Sequence, residues 1–432
     1  MGLVTVVVDA NHRTWWSRES ERRDPKPDVG RDLDHISWYF SAQISNCRLS
    51  SIAFMPCSLV GDQHCALSCA GQAALNGVAV SAGDAPSPKI EPAGPGLRVV
   101  VWEATQACDM KCVQCRVNSR PHRHPLELST AEAFHLIDQV AKMKVSLFAL
   151  TGGDPLKRAD LLPIVQYAVR NGLQSSLTAS TTPLLQRQTI FDLKQSGLSS
   201  LAIGLDGSTP QLHDSFRGAQ GSYKRTLEAI GWCQEANLPL QINTTLTRRN
   251  FADLDNLIDL LIEKKIAFWN TFFLVPTARV QIGDLLTAEE HEAAFAKLYE
   301  ASERVNFDIK TTEGQHYARF VAQQEAKQSS GRSKKTAASP LFDDKGLVFV
   351  SHTGEVYPSG FLPLPAGNIL WEPLAEIYQY SPVFRTLRDS SQLKGKCGRC
   401  EYKAACGGSR ARAYALTNDP LAEEPRCAYT PA

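Results

Sequence analysis

Polar and apolar positions follow two alternating patterns from residue 97 onward. Short apolar runs rich in β-branched residues predict buried strands at 97–105, 145–155, 175–181, 200–207, 238–247 and 267–277. Amphipathic stretches predict helices at 129–143, 160–172, 186–196, 222–236, 253–265 and 287–305. Six strand–helix units in succession predict parallel strands joined by right-handed crossovers. Since no G-x-G-x-x-G follows a strand, we expect an α/β fold with a partial (β/α)6, TIM-like barrel rather than a dinucleotide-binding sheet.

The pattern is weaker on both sides of this barrel. Residues 1–96 show neither the two-residue period of a strand nor the 3.6-residue period of a helix clearly. The proline-rich stretch 83–96 is typical of a linker. Beyond the barrel, the polar stretch 327–339 indicates a flexible surface loop, and a β-hairpin is predicted around Thr353-Gly354. The expected domains are an N-terminal extension (1–96), a barrel (97–310) and a small, cysteine-rich C-terminal module (311–432) that depends on its metal for folding.

Charge and composition narrow the function. The 432 residues carry a formal net charge of +1, so no overall field attracts nucleic acid or a membrane surface. No apolar run is long enough to span a bilayer, and the start lacks the features of a secretory signal. We therefore expect a cytoplasmic protein with no nucleic-acid or membrane partner.

The twelve cysteines are not expected to form a disulfide framework in a reducing compartment. Seven of them fall into two clusters, one at 108–115 and one at 397–427, which indicates metal binding. Cys65 and Cys69 have helical spacing but no second ligand pair, so we do not assign a metal to them or to Cys47 and Cys57.

Cys108, Cys112 and Cys115 form a C-x3-C-x2-C array directly after the first predicted strand. A closed zinc or iron–sulfur site takes four protein ligands, so three thiolates leave one position open. In a 4Fe–4S cluster, one iron would then be free to bind a small molecule. The alternative is a zinc knuckle that takes its fourth ligand from His122 or His124.

This array, together with the "TGGDP" turn after the second strand, resembles the radical S-adenosylmethionine (SAM) superfamily over about residues 97–280. The resemblance implies that the three cysteines hold a 4Fe–4S cluster whose open iron binds SAM. It also implies that Gly152, Gly153 and Asp154 form the turn that binds the SAM amino group, with Asp154 where glutamate is commoner. An ordinary loop is the alternative for this turn taken alone.

The stretch "GLDGSTPQLHDSFRG", residues 204–218, is also similar to the superfamily, in which it lies near the SAM ribose and the substrate. Asp206 and Arg217 are therefore candidate cofactor contacts, although each alone is equally consistent with a solvated surface loop. The stretches 243–247 and 275–279 end the fifth and sixth strands near the expected cofactor site, and Thr245 and Arg279 within them are weaker candidates.

A second array lies near the C-terminus and can form a closed site with four soft ligands, Cys397, Cys400, Cys406 and Cys427. It resembles the SPASM/twitch extensions of radical SAM enzymes, which carry auxiliary 4Fe–4S clusters. Ser359 and Arg410 stand where a full SPASM domain has further cysteines, so we expect one auxiliary cluster. A zinc ribbon is the alternative.

The resemblance implies an enzyme that takes an electron from a low-potential donor such as flavodoxin or ferredoxin. That electron cleaves SAM to a 5′-deoxyadenosyl radical, which abstracts hydrogen from the substrate. The C-terminal stretches look like a subgroup that acts in haem and d1-haem synthesis, so a tetrapyrrole is the expected substrate. The alternatives are a maturase of a ribosomally made peptide (PQQ or mycofactocin type) and a non-catalytic iron–sulfur protein.

Arg410 and Arg412 have two interpretations. Their guanidinium groups could bind tetrapyrrole propionates, for which the arginine fork is well suited. Alternatively, they belong to a helix that pairs with the acidic segment 419–425.

Overall fold

The structure is a computed structural model that describes residues 4–8, 14–18, 96–117, 119–277, 279–327 and 346–431. Most of the predicted extension 1–96 lies outside the described residues, as do its linker before Gly96 and its four cysteines. Two strands of it are described, β1 (Val4–Val8) and β2 (Thr14–Arg18), which pair antiparallel. The loop predicted at 327–339 also lies outside the described residues beyond Lys327.

The remaining strands form one ten-stranded sheet in the order β12-β11-β10-β3-β4-β5-β6-β7-β8-β9. Their bounds are β3 Val99–Thr105, β4 Leu147–Gly152, β5 Ser175–Thr178, β6 Ser200–Gly204, β7 Leu240–Leu246, β8 Phe268–Phe273, β9 Asp308–Thr312, β10 Leu347–Val350, β11 Glu355–Tyr357 and β12 Gly367–Asn368.

Strands β3 to β8 are the six strands predicted from the sequence, and each pairs in parallel with the next. Within the described residues, the end strands β12 and β9 do not pair with each other, so the barrel stays open. The predicted α/β partial barrel is therefore confirmed.

The described residues form twelve helices, which include the six predicted from the sequence. Their bounds are α1 Thr130–Lys142, α2 Leu161–Arg170, α3 Arg187–Gln195, α4 Pro210–Arg217, α5 Ser222–Glu235, α6 Leu254–Glu263, α7 Ala288–Arg304, α8 His316–Lys327, α9 Leu374–Tyr380, α10 Pro382–Arg388, α11 Gly395–Arg399 and α12 Arg410–Thr417. Single 3₁₀ turns lie at Pro155–Lys157, Phe251–Asp253, Ile282–Asp284 and Ser390–Gln392.

Local capping and core packing explain why these helices form where they do. The predicted capping box is present, because Ser129 Oγ accepts from the Glu132 N–H and the Glu132 carboxylate accepts from the Ser129 N–H. Ile137 of α1 packs with Trp102 and Phe148 of the sheet in one continuous apolar core. None of the described helices is long and apolar enough to cross a membrane.

The sequence pattern missed β9 and α8, which extend the sheet and its helical layer beyond the six predicted units. Strand β9 is short and mostly half-exposed, so it lacks an apolar run. The predicted strand 267–277 is also too long, because β8 ends at Phe273. There the carbonyls of Phe273 and Leu274 accept hydrogen bonds from Arg412 instead of continuing the ladder.

The predicted hairpin is confirmed, and it belongs to the same sheet as the barrel. β10 pairs antiparallel with β11 on one side and in parallel with β3 on the other. Leu347 lies opposite Val99, and Val350 lies opposite Trp102. The C-terminal residues therefore continue the sheet beside the strand that leads into the first cysteine array.

A buried ion pair ties the C-terminal helix α12 to the barrel. Arg412 and Glu424 are both fully buried, and the distance from Arg412 Nε to Glu424 Oε1 is 2.9 Å. The same guanidinium donates to the carbonyls of Leu274 (3.2 Å) and Glu313 (2.6 Å). Because it joins three separate segments, this pair holds the C-terminal part against the open end of the barrel.

Glu424→Gln should leave the Arg412 charge buried without a compensating partner. Loss of one member of a buried pair costs about 3 to 5 kcal/mol, so we expect a fall of that size in the free energy of unfolding. Urea unfolding followed by tryptophan fluorescence measures it. Glu372→Gln, at an exposed position, is the matched control. Equal midpoints for the two variants would show that the pair does not hold the fold together.

Candidate functional site

The first cysteine array lies on the loop that follows β3. The Cys108 N–H donates to the Arg120 carbonyl (2.7 Å), and the Val113 N–H donates to the Phe216 carbonyl (2.9 Å), so the loop is held at the first cysteine and beside the second. Cys108 is buried, with its Sγ 3.6 Å from Ser180 Oγ and 3.4 Å from the Met110 nitrogen. Burial raises the pKa of the Cys108 thiol to about 11, so a metal must displace its proton on binding.

The glycine turn packs directly against the backbone of this loop. The Gly153 N–H donates to the Thr105 carbonyl, and the Asp154 N–H donates to the Ala107 carbonyl, both at 2.7 Å. A Cβ on Gly152 would lie 2.4 Å from Thr105 O, and one on Gly153 would lie 2.5 Å from Ala107 O. These positions therefore need glycine because two backbones approach each other closely.

Asp154 lies behind the turn rather than in the open space in front of it. Its carboxylate accepts from Thr182 Oγ1 (2.7 Å) and from the Leu156 N–H (3.3 Å), which begins a 3₁₀ turn. The side chain is fully buried, and burial raises the pKa of Asp154 to about 6 despite these donors.

Asp206 and Arg217, both singled out by the sequence, form an ion pair with a separation of 2.7 Å. Asp206 also accepts from the Thr245 N–H and from Gln114 Nε2, each at 2.8 Å. The Nη1 atom of Arg217 lies 4.0 Å from Cys112 Sγ. The pair therefore links the end of β6 to the cysteine loop.

Gly204 makes room for this arrangement. A Cβ at Gly204 would lie 1.6 Å from Arg217 Nη2, so any side chain there would expel the guanidinium. The sequence analysis did not single out Gly204, although its place at the carboxyl end of a predicted parallel strand is where functional positions gather.

A cleft opens at this edge of the sheet. Of the residues predicted to act here, those that line it are Cys108, Cys112, Cys115, Gly152, Gly153, Arg217 and Thr245. Asp154 and Asp206 do not line it, and neither do Arg279, His122 and His124.

The sequence analysis did not name the other residues of the cleft wall, although Asn243 and Val275 belong to the stretches 243–247 and 275–279 that it placed near the cofactor. Its polar members include Gln114, Arg116, Ser180 and Asn243, and its apolar members include Phe272, Phe273, Leu274, Val275 and Phe361. Ser180 and Asn243 lie within or directly after predicted strands, so strand-end position was the signal that could have found them. Phe361 comes from the segment after β11 and had no signal of this kind.

The second cysteine array also closes around one space. Cys397, Cys400, Cys406 and Cys427 line one small cavity. Backbone N–H groups of Gly408 and Glu424 lie 3.4 Å from Cys406 Sγ and 3.2 Å from Cys397 Sγ. Burial raises the pKa of the Cys406 thiol to about 12. In the part of the chain that the structure describes, no three His, Cys, Asp or Glu side chains converge on a point that fits a single metal ion.

The two positions that lack a SPASM cysteine are used for internal contacts. Ser359 Oγ donates to Glu313 Oε1 (3.2 Å). Arg410 Nη1 donates to the carbonyls of Pro420 (2.9 Å) and Ala422 (2.6 Å). Arg412 is fully buried on Glu424, so of the two interpretations of these arginines, pairing with the segment 419–425 is correct.

Comparisons with known proteins agree with this geometry. The family model of the Radical SAM superfamily matches residues 102–261. The chain is 39% identical over 339 residues to the AdoMet-dependent heme synthase of Methanosarcina barkeri (strain Fusaro / DSM 804). The matched residues cover 77% of this chain and 97% of that protein. It is 27% identical to the PqqA peptide cyclase of Rhizobium meliloti (strain 1021), over 76% of this chain and 86% of that protein.

Among solved structures, Streptococcus suis SuiB bound to the precursor peptide SuiA matches with a TM-score of 0.62. The match covers 77% of this chain and 76% of SuiB at 17% identity, so it shows a shared fold.

Gly204→Ala should expel Arg217 and leave Asp206 buried without its cation. We expect the free energy of unfolding to fall by about 3 to 5 kcal/mol. The matched control is Gly231→Ala on α5, where an added Cβ meets nothing within 4 Å. That change should be neutral or stabilising by up to about 1 kcal/mol. Chemical denaturation of both variants decides the matter, and equal stabilities would contradict the role given to Gly204.

Proposed function

This chain belongs to the radical SAM superfamily, and from that premise we propose that it modifies a side chain of a tetrapyrrole of the haem or d1-haem type. The chain is an enzyme, so a non-catalytic iron–sulfur carrier is set aside. The radical SAM chemistry in this proposal is carried by one observation: Cys108, Cys112 and Cys115 line a single cleft together with Gly152 and Gly153.

We assign a 4Fe–4S cluster to the three cysteines, with one iron left open for the amino and carboxylate groups of SAM. When bound, the cluster and SAM supply a 5′-deoxyadenosyl radical by reductive cleavage, for hydrogen abstraction from the substrate. The donor set of three thiols fits such a cluster. Two atoms of cleft-lining residues, Gln114 Oε1 and Arg217 Nε, are buried without a hydrogen-bond partner among the described residues and are available to these ligands.

The surrounding residues of the chain position the ligands and exclude water. Gly152 and Gly153 let the turn approach closely, so that its backbone can contact the SAM amino group. Asp206 acts by holding Arg217 beside Cys112, and Asp154 acts by fixing the turn from behind. Thr245 adds a polar contact on the wall of the cleft, which is otherwise lined by aromatic and aliphatic side chains that keep solvent away.

We assign one auxiliary 4Fe–4S cluster to Cys397, Cys400, Cys406 and Cys427. The support is that all four thiols line one cavity and that four cysteine thiolates are a complete ligand set for a 4Fe–4S cluster. Four cysteine ligands would close such a cluster, so SAM would bind at the first site. The chemistry that the auxiliary cluster would supply is to accept or relay an electron. On this proposal the C-terminal module begins near residue 311.

A tetrapyrrole is favoured over a peptide for two reasons. The relative named for heme synthesis shares more identity with this chain than the relative named for peptide cyclisation does, 39% against 27%. The cleft also combines an aromatic and aliphatic wall with Arg116, whose guanidinium is held by Glu103 at 2.9 Å. A flat apolar ring with carboxylates would match both features. The fold shared with peptide-bound SuiB keeps a peptide as the second candidate.

The electron for SAM cleavage would come from a low-potential donor such as flavodoxin or ferredoxin. We propose a cytoplasmic location, since a reducing compartment keeps the seven clustered cysteines available as metal ligands.

Cys112→Ala should abolish SAM cleavage and leave the fold intact, because two thiolates do not hold the open cluster and the barrel core does not depend on it. The measurement is anaerobic formation of 5′-deoxyadenosine from SAM and dithionite. Cys233→Ala is the control, since Cys233 is a buried residue of α5 that lines neither the cleft nor the C-terminal cavity. Normal 5′-deoxyadenosine formation by Cys112→Ala would refute the site.

Changing Cys400 and Cys406 together to Ala should lower the iron content from about eight to about four per chain. SAM cleavage should persist while turnover of substrate is lost, because the two clusters have separate roles. The assay follows 5′-deoxyadenosine and product together, with a propionate-bearing iron porphyrin in one arm and a precursor peptide in the other.

Three results would contradict these assignments. Four irons with one zinc in the native chain would indicate a zinc ribbon. Normal turnover by the double variant would remove the redox role of the auxiliary cluster. Turnover of the peptide but not of the porphyrin would overturn the substrate assignment.

A further inference from the structure

His316 is a buried polar residue that the proposed chemistry has not used. Its side chain is fully buried at the start of α8. Neither ring nitrogen has a hydrogen-bond partner within the described ranges. Buried polar groups are almost always satisfied, so an unsatisfied imidazole calls for an explanation. The aromatic ring nearest to it, that of Phe295 at 4.7 Å between centroids, offers no such partner.

His316 lines the cavity that the four C-terminal cysteines surround. Its ring packs against two residues of α7, Phe295 and His291, with 5.1 Å between the ring centroids of His316 and His291. The cysteine cavity is therefore the place where the missing partner of this ring belongs.

The backbone before His316 is held in a strained turn, and this turn fixes where α8 begins and so where the ring of His316 lies. Glu313 has a φ of +55°, in the left-handed region that non-glycine residues rarely adopt. Such a conformation persists where the surroundings impose it. Here Arg412 Nη2 donates to the Glu313 carbonyl (2.6 Å), and both Ser409 and Ser359 donate to the Glu313 carboxylate.

We propose that His316 donates a hydrogen bond to a sulfur of the auxiliary cluster and thereby raises the reduction potential of that cluster. The inference rests on the auxiliary cluster proposed above. An imidazole carries at least one N–H in either charge state, so donation does not depend on protonation of the ring. Hydrogen bonds to the sulfurs of an iron–sulfur cluster are among the factors that set its potential, because they stabilise the extra negative charge of the reduced form.

The positive charges around the cavity would also raise the reduction potential of the cluster. Lys396 and Lys403 line it, and Arg410 Nη2 lies 3.9 Å from Cys397 Sγ. Arg319 also lines it, but Glu292 compensates its charge. The acidic residue of the wall, Glu424, has its charge compensated by Arg412. A positive surrounding also favours the reduced cluster, which suits a site that accepts an electron.

The test is the midpoint potential of the auxiliary cluster, read by electron paramagnetic resonance during an anaerobic redox titration. The full chain with Cys108, Cys112 and Cys115 changed to Ala holds only this cluster, so its signal is free of overlap. His316→Phe keeps the aromatic packing but removes the donor, and it should shift the midpoint to a more negative value with about four irons per chain retained. His316→Leu is a smaller apolar variant that should give the same shift.

Two further variants separate a hydrogen bond from a packing effect. His316→Gln keeps an N–H donor and should restore the potential towards that of the native residue. His291→Phe changes a neighbouring buried histidine that does not line the cavity and should leave the potential unchanged.

The outcomes are distinguishable. An unchanged midpoint in both apolar variants, with iron retained, overturns the role of His316. Loss of iron in both would make His316 a ligand and would also overturn it as a donor. If the chain with native His316 and the three alanines binds no iron–sulfur cluster, the auxiliary cluster itself is wrong and this inference falls with it.

Discussion

The ion pair between Arg412 and Glu424 is the interaction on which the arrangement of the molecule depends. A buried charge pair is costly to desolvate, and it is tolerated here because the guanidinium also satisfies carbonyls from the end of β8 and from the turn before α8. The same turn carries His316, and Glu424 itself contributes to the wall of the C-terminal cavity. One guanidinium therefore sets both where the sixth barrel strand stops and how the second cysteine array is presented.

The cleft at the mouth of the barrel also depends on a buried ion pair. Asp206 does not face the open space, but it holds Arg217, and Arg217 reaches Cys112. Gly204 is needed only because that guanidinium occupies the volume of its missing side chain. Charges behind the wall thus determine the surface that a ligand meets, and substitutions that never touch the ligand can still alter its binding.

The sequence predicted those features that depend on local pattern. The six parallel strands, the capping box at Ser129 and the two cysteine arrays all follow from periodicity or spacing within a short stretch. It did not predict that the two arginines of α12 are interior residues, because their partners lie in other segments. Likewise, β9 has no apolar run, and His316 and Phe361 gain their places only through contacts with distant parts of the chain.

The parallel pairing of β10 with β3 has a consequence for how the chain reaches its fold. Val99 begins the first strand of the barrel, yet its neighbour Leu347 is made only when most of the chain has been synthesised. Until then the outer edge of β3 presents unpaired backbone groups, and such edges invite pairing with other chains. Contacts between residues so far apart in sequence also close late and slow folding. The strand that leads into the first cysteine array is thus among the last to be completed, so a chain interrupted during synthesis would expose an aggregation-prone edge at that array.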